Sequence, residues 1–390
     1  MSDNILPEPP EELKQMSDAL CNRVQQKSGT DGLTPFSRFM EMSLYEPGLG
    51  YYSAGLHKLG ESGDFVTAPE LGSLFATCLA GQVNELAATL GDYDILEVGA
   101  GTGRLAADLF AALDPEYLPR RYLILERSAD LRQVQAETIA TTDSGLLEHV
   151  RWLDQPPTSG WQGVLIANEV LDALAVERFE IGKHGVEQLC VTRKKGRFNW
   201  ASREAPAELK QAVAHIEAEN GVELPGGYRS EVNLLTTDWL DALTRHMNRG
   251  LALFIDYGYP RSEYYLPERT DGTLMCHYRH RAHDDVFFWP GLQDITTWVD
   301  FTALAEAADH CGLDVEGYAS QSMFLLGCGL DRILAEENQS GEGRNLILTE
   351  QARQLTLPGL MGEKFQVMGL GRGLVQPLCG FSLQDLRYRL

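Results

Sequence analysis

The chain has 390 residues, 44% of them hydrophobic, enough to bury a large core and to carry either one domain with big insertions or two domains. Its 56 acidic and 33 basic residues give a formal net charge of -23, which repels phosphate backbones and anionic membranes, so nucleic acid is not an expected partner unless basic residues cluster. No apolar run approaches the length that crosses a bilayer, the N-terminal stretch MSDNILPEPPEELKQM is acidic, and the seven cysteines never fall at metal-ligand spacing. The expectation is a cytoplasmic protein with reduced thiols, no membrane insertion and no metal.

Leu13, Met16, Leu20 and Val24 recur at helical spacing and predict one amphipathic helix. From Pro35 to Phe65 the chain is rich in Gly, Tyr and Ser (YEPGLGYYSAG, then GESGDF), a composition of ordered loops. A helix is expected through Leu74, Leu79 and Val83 to Leu90, with Gly91 as its stop. From Tyr93 short apolar runs alternate with helical stretches, as in a parallel sheet with covering helices. The runs are YDILEV (93–98), RYLILE (121–126), HVRWLD (149–154), GVLIAN (163–168) and GLALFIDYG (250–258); helices fit over 104–113 and 128–141. Residues 175–201 read as two or three antiparallel strands inserted after the fourth run, and a helix over 234–247 returns the chain to the fifth. The segment 259–300 has little periodicity, yet six aromatics between Tyr264 and Trp289 argue for order, and substrate contacts are expected there. A helix over 302–311, a strand over 313–318, two helices and a last edge strand over 364–370 complete the chain.

In LEVGAGTGRLAADL an apolar strand runs into Gly99-Ala100-Gly101-Thr102-Gly103 and then a helix. Glycines at alternate positions accept positive φ and let the backbone approach a ligand, while the helix start offers unpaired N–H groups. The dinucleotide pattern G-x-G-x-x-G requires a small residue where Arg104 stands, and no Gly-Lys-Ser/Thr of a phosphate loop follows. Glu126 ends the second strand, where a carboxylate accepts the two hydroxyls of a ribose in either class of adenosine ligand. Glu97, just before the turn, orients its N–H groups or meets, through water, the cationic amino group of S-adenosyl-L-methionine (AdoMet), the ligand this pattern favours; tying down the loop is its structural alternative. The fourth strand ends in Asn168-Glu169-Val-Leu-Asp172, and residues beyond the carboxyl ends of such strands face the ligand, unless they only cap the next helix. Asp256 ends the fifth strand, as a site residue or as a brace of the sheet end.

The strings FSRFMEMSLYEPGLGYYS, GDFVTAPELG, ILEVGAGTGRLAADL, LERSADLRQVQ, ANEVLDALAVERF, LFIDYGY, GTLMCHYRHRAHDD, PGLQDITTWVDF and LTLPGLMGEKFQVM, from Pro35 to about Gly371, resemble the MidA-type methyltransferases. The mitochondrial member of that family is a complex I assembly factor that methylates an arginine on a core subunit. The resemblance implies an α/β class I (Rossmann-like) methyltransferase with a doubly wound sheet, an N-terminal helical and loop extension, and inserted antiparallel strands and helices. The organisation expected is an N-terminal region over 1–90, an AdoMet-binding core over 91–260 with a β-insertion at 175–230, and a substrate-side loop with C-terminal helices over 261–390.

The family's GDFxTAPE loop falls on Gly63, Asp64, Phe65, Thr67, Ala68, Pro69 and Glu70, implying that Thr67, Pro69 and Glu70 join Glu97, Gly99, Ala100, Gly101, Gly103, Glu126 and Asn168 around AdoMet. Its Asn-Glu pair falls on Asn168 and Glu169. Glu169 is the first choice for the carboxylate facing the methyl acceptor, with Asn168 positioning it and Asp64, Glu70 and Asp172 in reserve. Trp298 stands where many bacterial members carry histidine. The resemblance implies a protein acceptor, a respiratory complex I subunit being one candidate, and allows a homodimer. A small-molecule or other side-chain acceptor, and a non-catalytic assembly role, stay open as alternatives.

Overall fold

The apolar runs of residues 93–168 and 250–258 become neighbouring strands of one eight-stranded sheet; the interior runs are apolar on both faces and must be covered on both, while the run 149–154, with exposed Arg151, takes the edge. The computed structural model describes residues 6–54, 67–142, 144–340 and 345–390. The chain divides into two units, one of Met1–Phe65, Asp172–Thr236 and Arg261–Trp298, the other of Val66–Leu171, Thr237–Pro260 and Val299–Leu390.

The second unit holds the large sheet. Its strands are β1 (Asp94–Val98), β2 (Arg121–Leu125), β3 (Val150–Leu153), β4 (Trp161–Asn168), β5 (Met247–Tyr259), β6 (Val299–Asp300), β7 (Asp314–Ser320) and β8 (Phe365–Arg372). The order across the sheet is β7-β8-β5-β4-β1-β2-β3, with β6 alongside the end of β5. Strands β1 to β5 run parallel, and β8 runs antiparallel to both neighbours. From β1 the chain winds outward through β2 and β3, then returns to the other side of β1 with β4, so the carboxyl ends of β1 and β4 flank the crevice where such sheets bind ligands.

Helices Leu74–Leu90, Arg104–Ala112 and Ala129–Thr142 accompany the sheet, the first stopping at Gly91 with φ 72°. Leu79, Val83, Leu105, Leu109, Ile95, Ile124 and Ile166 share one fully buried cluster. At the opposite end of the strands Asp94 is fully buried and receives paired hydrogen bonds from both Arg120 and Arg121, which lock β1 to the start of β2.

Two expectations are corrected. Residues 364–370 form no edge strand: β8 lies between β5 and β7, and Phe365 to Gly371 are all buried. Its run Phe365, Val367, Met368, Leu370 is apolar on both faces, as an interior strand must be. Among the described residues three helices rather than two follow β7: Gln321–Gly327, Leu330–Ser340 and Asn345–Thr356.

In the first unit the inserted strands Glu177–Gly182, Gly185–Lys194 and Arg197–Glu204 are antiparallel and join Thr34–Pro35 and Arg229–Val232 in a five-stranded sheet. The aromatic segment 259–300 is ordered by three short strands, Met275–Tyr278, Arg281–His283 and Asp294–Thr296. Leu20, Val24, Phe36, Phe39, Tyr51, Val191 and Ile295 form this unit's core. Among the described residues no helix is long and apolar enough to cross a membrane.

Candidate active site

The turn after β1 has Gly99, Gly101 and Gly103 at φ 68°, 53° and 83°, the left-handed region in which a side chain is strained. A Cβ on Gly99 would meet Val170 Cγ2 at 3.0 Å, and one on Gly103 would meet the Gln135 Cα at 2.9 Å. Gly103 is also the residue on which helix Arg104–Ala112 starts, so Gly103 is required by packing as well as by conformation.

Glu97 is 3% exposed and accepts a hydrogen bond from the Tyr122 hydroxyl at 2.8 Å. Burial raises its pKa to about 7, against the lowering effect of that hydrogen bond. Glu126, beyond β2, accepts from the Ser128 amide at 2.7 Å and faces the Gln135 amide nitrogen at 3.4 Å. Burial raises its pKa too, opposed by these donors.

Gln135, like Tyr122, is a residue the sequence reading missed. Fully buried on helix Ala129–Thr142, it donates to the Gly101 carbonyl at 3.0 Å and accepts from Trp152 Nε1 at 2.8 Å, tying the glycine turn to the neighbourhood of Glu126. Its one signal in the sequence is a polar residue four positions before Ile139, the other buried side chain of that helix.

At the end of β4, Glu169 carries φ 54°, a strained backbone for a non-glycine residue, and its amide donates to the Ile255 carbonyl at 2.8 Å. One carboxylate oxygen of Glu169 accepts from the Ala68 amide at 3.3 Å and from Asn168 Nδ2 at 3.2 Å. Asn168 Oδ1 is buried without a hydrogen-bond partner, an acceptor left open at the strand end. Asp256 braces this turn: one of its oxygens accepts from the Val170 and Leu171 amides at 3.1 and 2.9 Å, the other from the Tyr257 amide at 2.9 Å.

Thr67 precedes a short 3-10 turn, Ala68–Leu71, in which Ala68 and Pro69 are buried. Glu70 in that turn accepts a hydrogen bond from the Thr102 hydroxyl at 2.5 Å, so the segment reaches the glycine turn as well as Glu169. Gly63, Asp64 and Phe65 lie outside the described residues. Asp172 is buried in the other unit, where its carbonyl accepts from the Thr297 amide.

The structure therefore gathers Glu97, the three glycines, Glu126, Asn168, Glu169, Thr67, Pro69 and Glu70 onto segments joined by hydrogen bonds or adjacent strand ends. A backbone free of Cβ atoms, a half-committed carboxylate at Glu126, an open acceptor on Asn168 and a buried acid at Glu97 suit a ligand that combines a ribose with a cationic amino acid.

The family model of S-adenosyl-L-methionine-dependent methyltransferases matches residues 74–319. A crystal structure of a COG1565 superfamily member from Burkholderia thailandensis bound to S-adenosyl-homocysteine is 40% identical, with TM-score 0.93, over 99% of this chain and 100% of that one. A native crystal structure of a protein of the same superfamily from that organism is 39% identical with TM-score 0.91, over 99% and 100%. The mitochondrial protein arginine methyltransferase NDUFAF7 homolog of Drosophila melanogaster is 26% identical, over 96% of this chain and 93% of its own length. Human mitochondrial protein arginine methyltransferase NDUFAF7 is 25% identical, over 90% and 83%. The chain belongs to the MidA-type, S-adenosyl-L-methionine-dependent methyltransferase family, and is a methyltransferase with S-adenosyl-L-methionine as its cofactor.

Proposed function

We propose that this enzyme methylates an arginine of a protein acceptor, a respiratory complex subunit or a similar protein, with Glu169 as the carboxylate that meets the guanidinium. The observation that carries the reading is the setting of Glu169: a strained backbone, an amide fixed to the neighbouring strand, and a carboxylate at the carboxyl end of β4 beside the open Asn168 acceptor. The arginine methyltransferases of similar sequence support the choice of acceptor.

AdoMet supplies an electrophilic methyl group on a sulfonium. The protein then has to align the acceptor nitrogen and manage its proton. A guanidinium, with a pKa above about 12, stays charged in water, so the carboxylate of Glu169 localises that charge and takes the proton released as the N–C bond forms. Asn168 holds a second N–H of the acceptor. The glycine turn and Glu126 hold the cofactor, Glu126 through the ribose hydroxyls. The test is to incubate purified enzyme and labelled AdoMet with lysate of a strain lacking the gene; a labelled protein band containing methylarginine is expected, and label found only in small molecules refutes the reading.

Glu126→Ala is expected to weaken AdoMet by roughly 1–3 kcal/mol, the cost of losing charge-assisted hydrogen bonds to a desolvated ligand group. An unchanged dissociation constant in calorimetry removes the ribose role.

Glu97 makes binding depend on pH. Its pKa of about 7 leaves the free protein with a neutral carboxyl in mildly acid solution, whereas the cationic amino group favours the ionised form. AdoMet affinity is therefore expected to rise as pH climbs through 7, with proton release on binding below it, and to lose this dependence in Glu97→Gln. The free protein shows the opposite trend in stability. Its folded state keeps a proton that the unfolded chain releases in the ordinary carboxylate range, so stability falls as pH rises from that range to about 7. Calorimetric titrations across this range in buffers of different ionisation heat check the sign.

A further inference from the structure

The strands Gly185–Lys194 and Arg197–Glu204 pair in register up to Lys194 opposite Arg197, leaving a two-residue turn of Lys195 and Gly196. Both turn residues have positive φ, 51° and 79°, the geometry of a type I′ hairpin. Asn or Gly is the cheap residue at the first of these positions. Here the chain places a lysine there, so a third consecutive cation is held on the tip at a conformational cost.

Arg193, Lys194, Lys195 and Arg197 thus crowd five residues of a chain whose net charge is -23. Lys194, Lys195 and Arg197 are exposed and make no salt bridge among the described residues. Arg193 is turned to neutral groups, the side-chain oxygens of Asn22 at 2.7 Å and Gln25 at 3.1 Å, and lies over the Phe198 ring at 5.8 Å. The carboxylates of the hairpin itself, Glu187 and Glu204, face each other at its other end, seven residues from Lys194 and so about 23 Å away along the strand. That is well beyond the roughly 8 Å screening length at physiological salt, so the hairpin's own carboxylates do not offset the tip; Asp18, on the helix that Arg193 contacts, shares the surroundings of Cys21 with Arg193 and is one carboxylate against four cations.

We infer that this tip docks an acidic, extended segment of a partner protein. A flat anionic membrane or a stiff nucleic acid duplex has to approach a broad area of a strongly acidic molecule, whereas a narrow peptide segment senses only the charges within a screening length of the tip. The strand Arg197–Glu204 pairs on one side only among the described strands, with Asn199, Trp200 and Ser202 exposed along it, so an extended segment held by the tip also meets an open sheet edge.

The test uses the full chain and a fluorescein-labelled octaglutamate peptide followed by anisotropy. Binding at low salt that weakens steeply as salt is added is expected, with an affinity loss of about tenfold or more on combining Lys194→Glu, Lys195→Glu and Arg197→Glu. AdoMet affinity and the circular dichroism spectrum report that the variant is folded. Unchanged peptide affinity in that folded variant overturns the inference. So does tighter binding of wild type to anionic phospholipid vesicles or to a short DNA duplex through the same three residues, which would assign the tip to a different partner.

Discussion

Gly101→Val abolishes AdoMet binding, with a loss of more than about a hundredfold, while the protein stays folded. Gly101 sits at φ 53°, where a non-glycine residue costs roughly 1–2 kcal/mol and a β-branched one more. Its carbonyl is held by the buried Gln135, so the turn has little freedom to relax. The valine then occupies the space the ligand backbone contacts need. Gly101 is the informative position because a side chain on Gly103 strikes the Gln135 backbone and would confuse lost folding with lost binding. Calorimetry with AdoMet, alongside a thermal melt, decides the matter; affinity within a few-fold of wild type would mean that the turn serves the fold alone.

Glu169→Gln lowers turnover by about a hundredfold to ten-thousandfold, the span of acid-base and charge contributions, and leaves the AdoMet dissociation constant nearly unchanged. Glutamine retains an oxygen for the Ala68 amide and Asn168 Nδ2, and it is no worse suited than glutamate to φ 54°. The substitution therefore removes charge with little change in shape. On the proposed reading an arginine acceptor loses the carboxylate that takes its proton as the N–C bond forms, so the loss falls on turnover. Single-turnover kinetics with the labelled protein acceptor measure the effect. Near-normal turnover shifts the role to Glu70 or to Asp64.

What the sequence disclosed follows from how local each signal is. The glycine turn, the two strand-end acids Glu97 and Glu126, and strands β1 to β5 were legible because apolar runs and turn glycines are properties of a few consecutive residues. The place of β8 was not, since an antiparallel strand inserted between β5 and β7 is chosen by non-local pairing, across more than a hundred residues on its β5 side, and its apolar run fits an edge or an interior position until the neighbours are known. Gln135 and Tyr122 escaped for a related reason: a buried polar side chain has no periodicity of its own and acquires meaning only from the carbonyl or carboxylate it meets. Asp256 was left between site residue and brace, and its hydrogen bonds to the amides of Val170, Leu171 and Tyr257 give it the bracing position.

The segment 261–298 leaves the end of β5 and comes back as β6, which pairs with the two residues of β5 it departed from, Gly258 opposite Val299 and Tyr259 opposite Asp300. Its two ends are thus one ladder spacing apart, about 5 Å. A stretch with such closely spaced ends can change length at its exposed turns without shifting the hydrogen bonds of the strand pair it departs from, while its buried side chains, Cys276, Val286 and Ile295, tie it to the core of the first unit. Relatives that keep the turn after β1 and the strand ends can therefore vary the exposed turns of this stretch and inherit the cofactor chemistry unchanged, provided its buried side chains still fill the core of the unit they belong to.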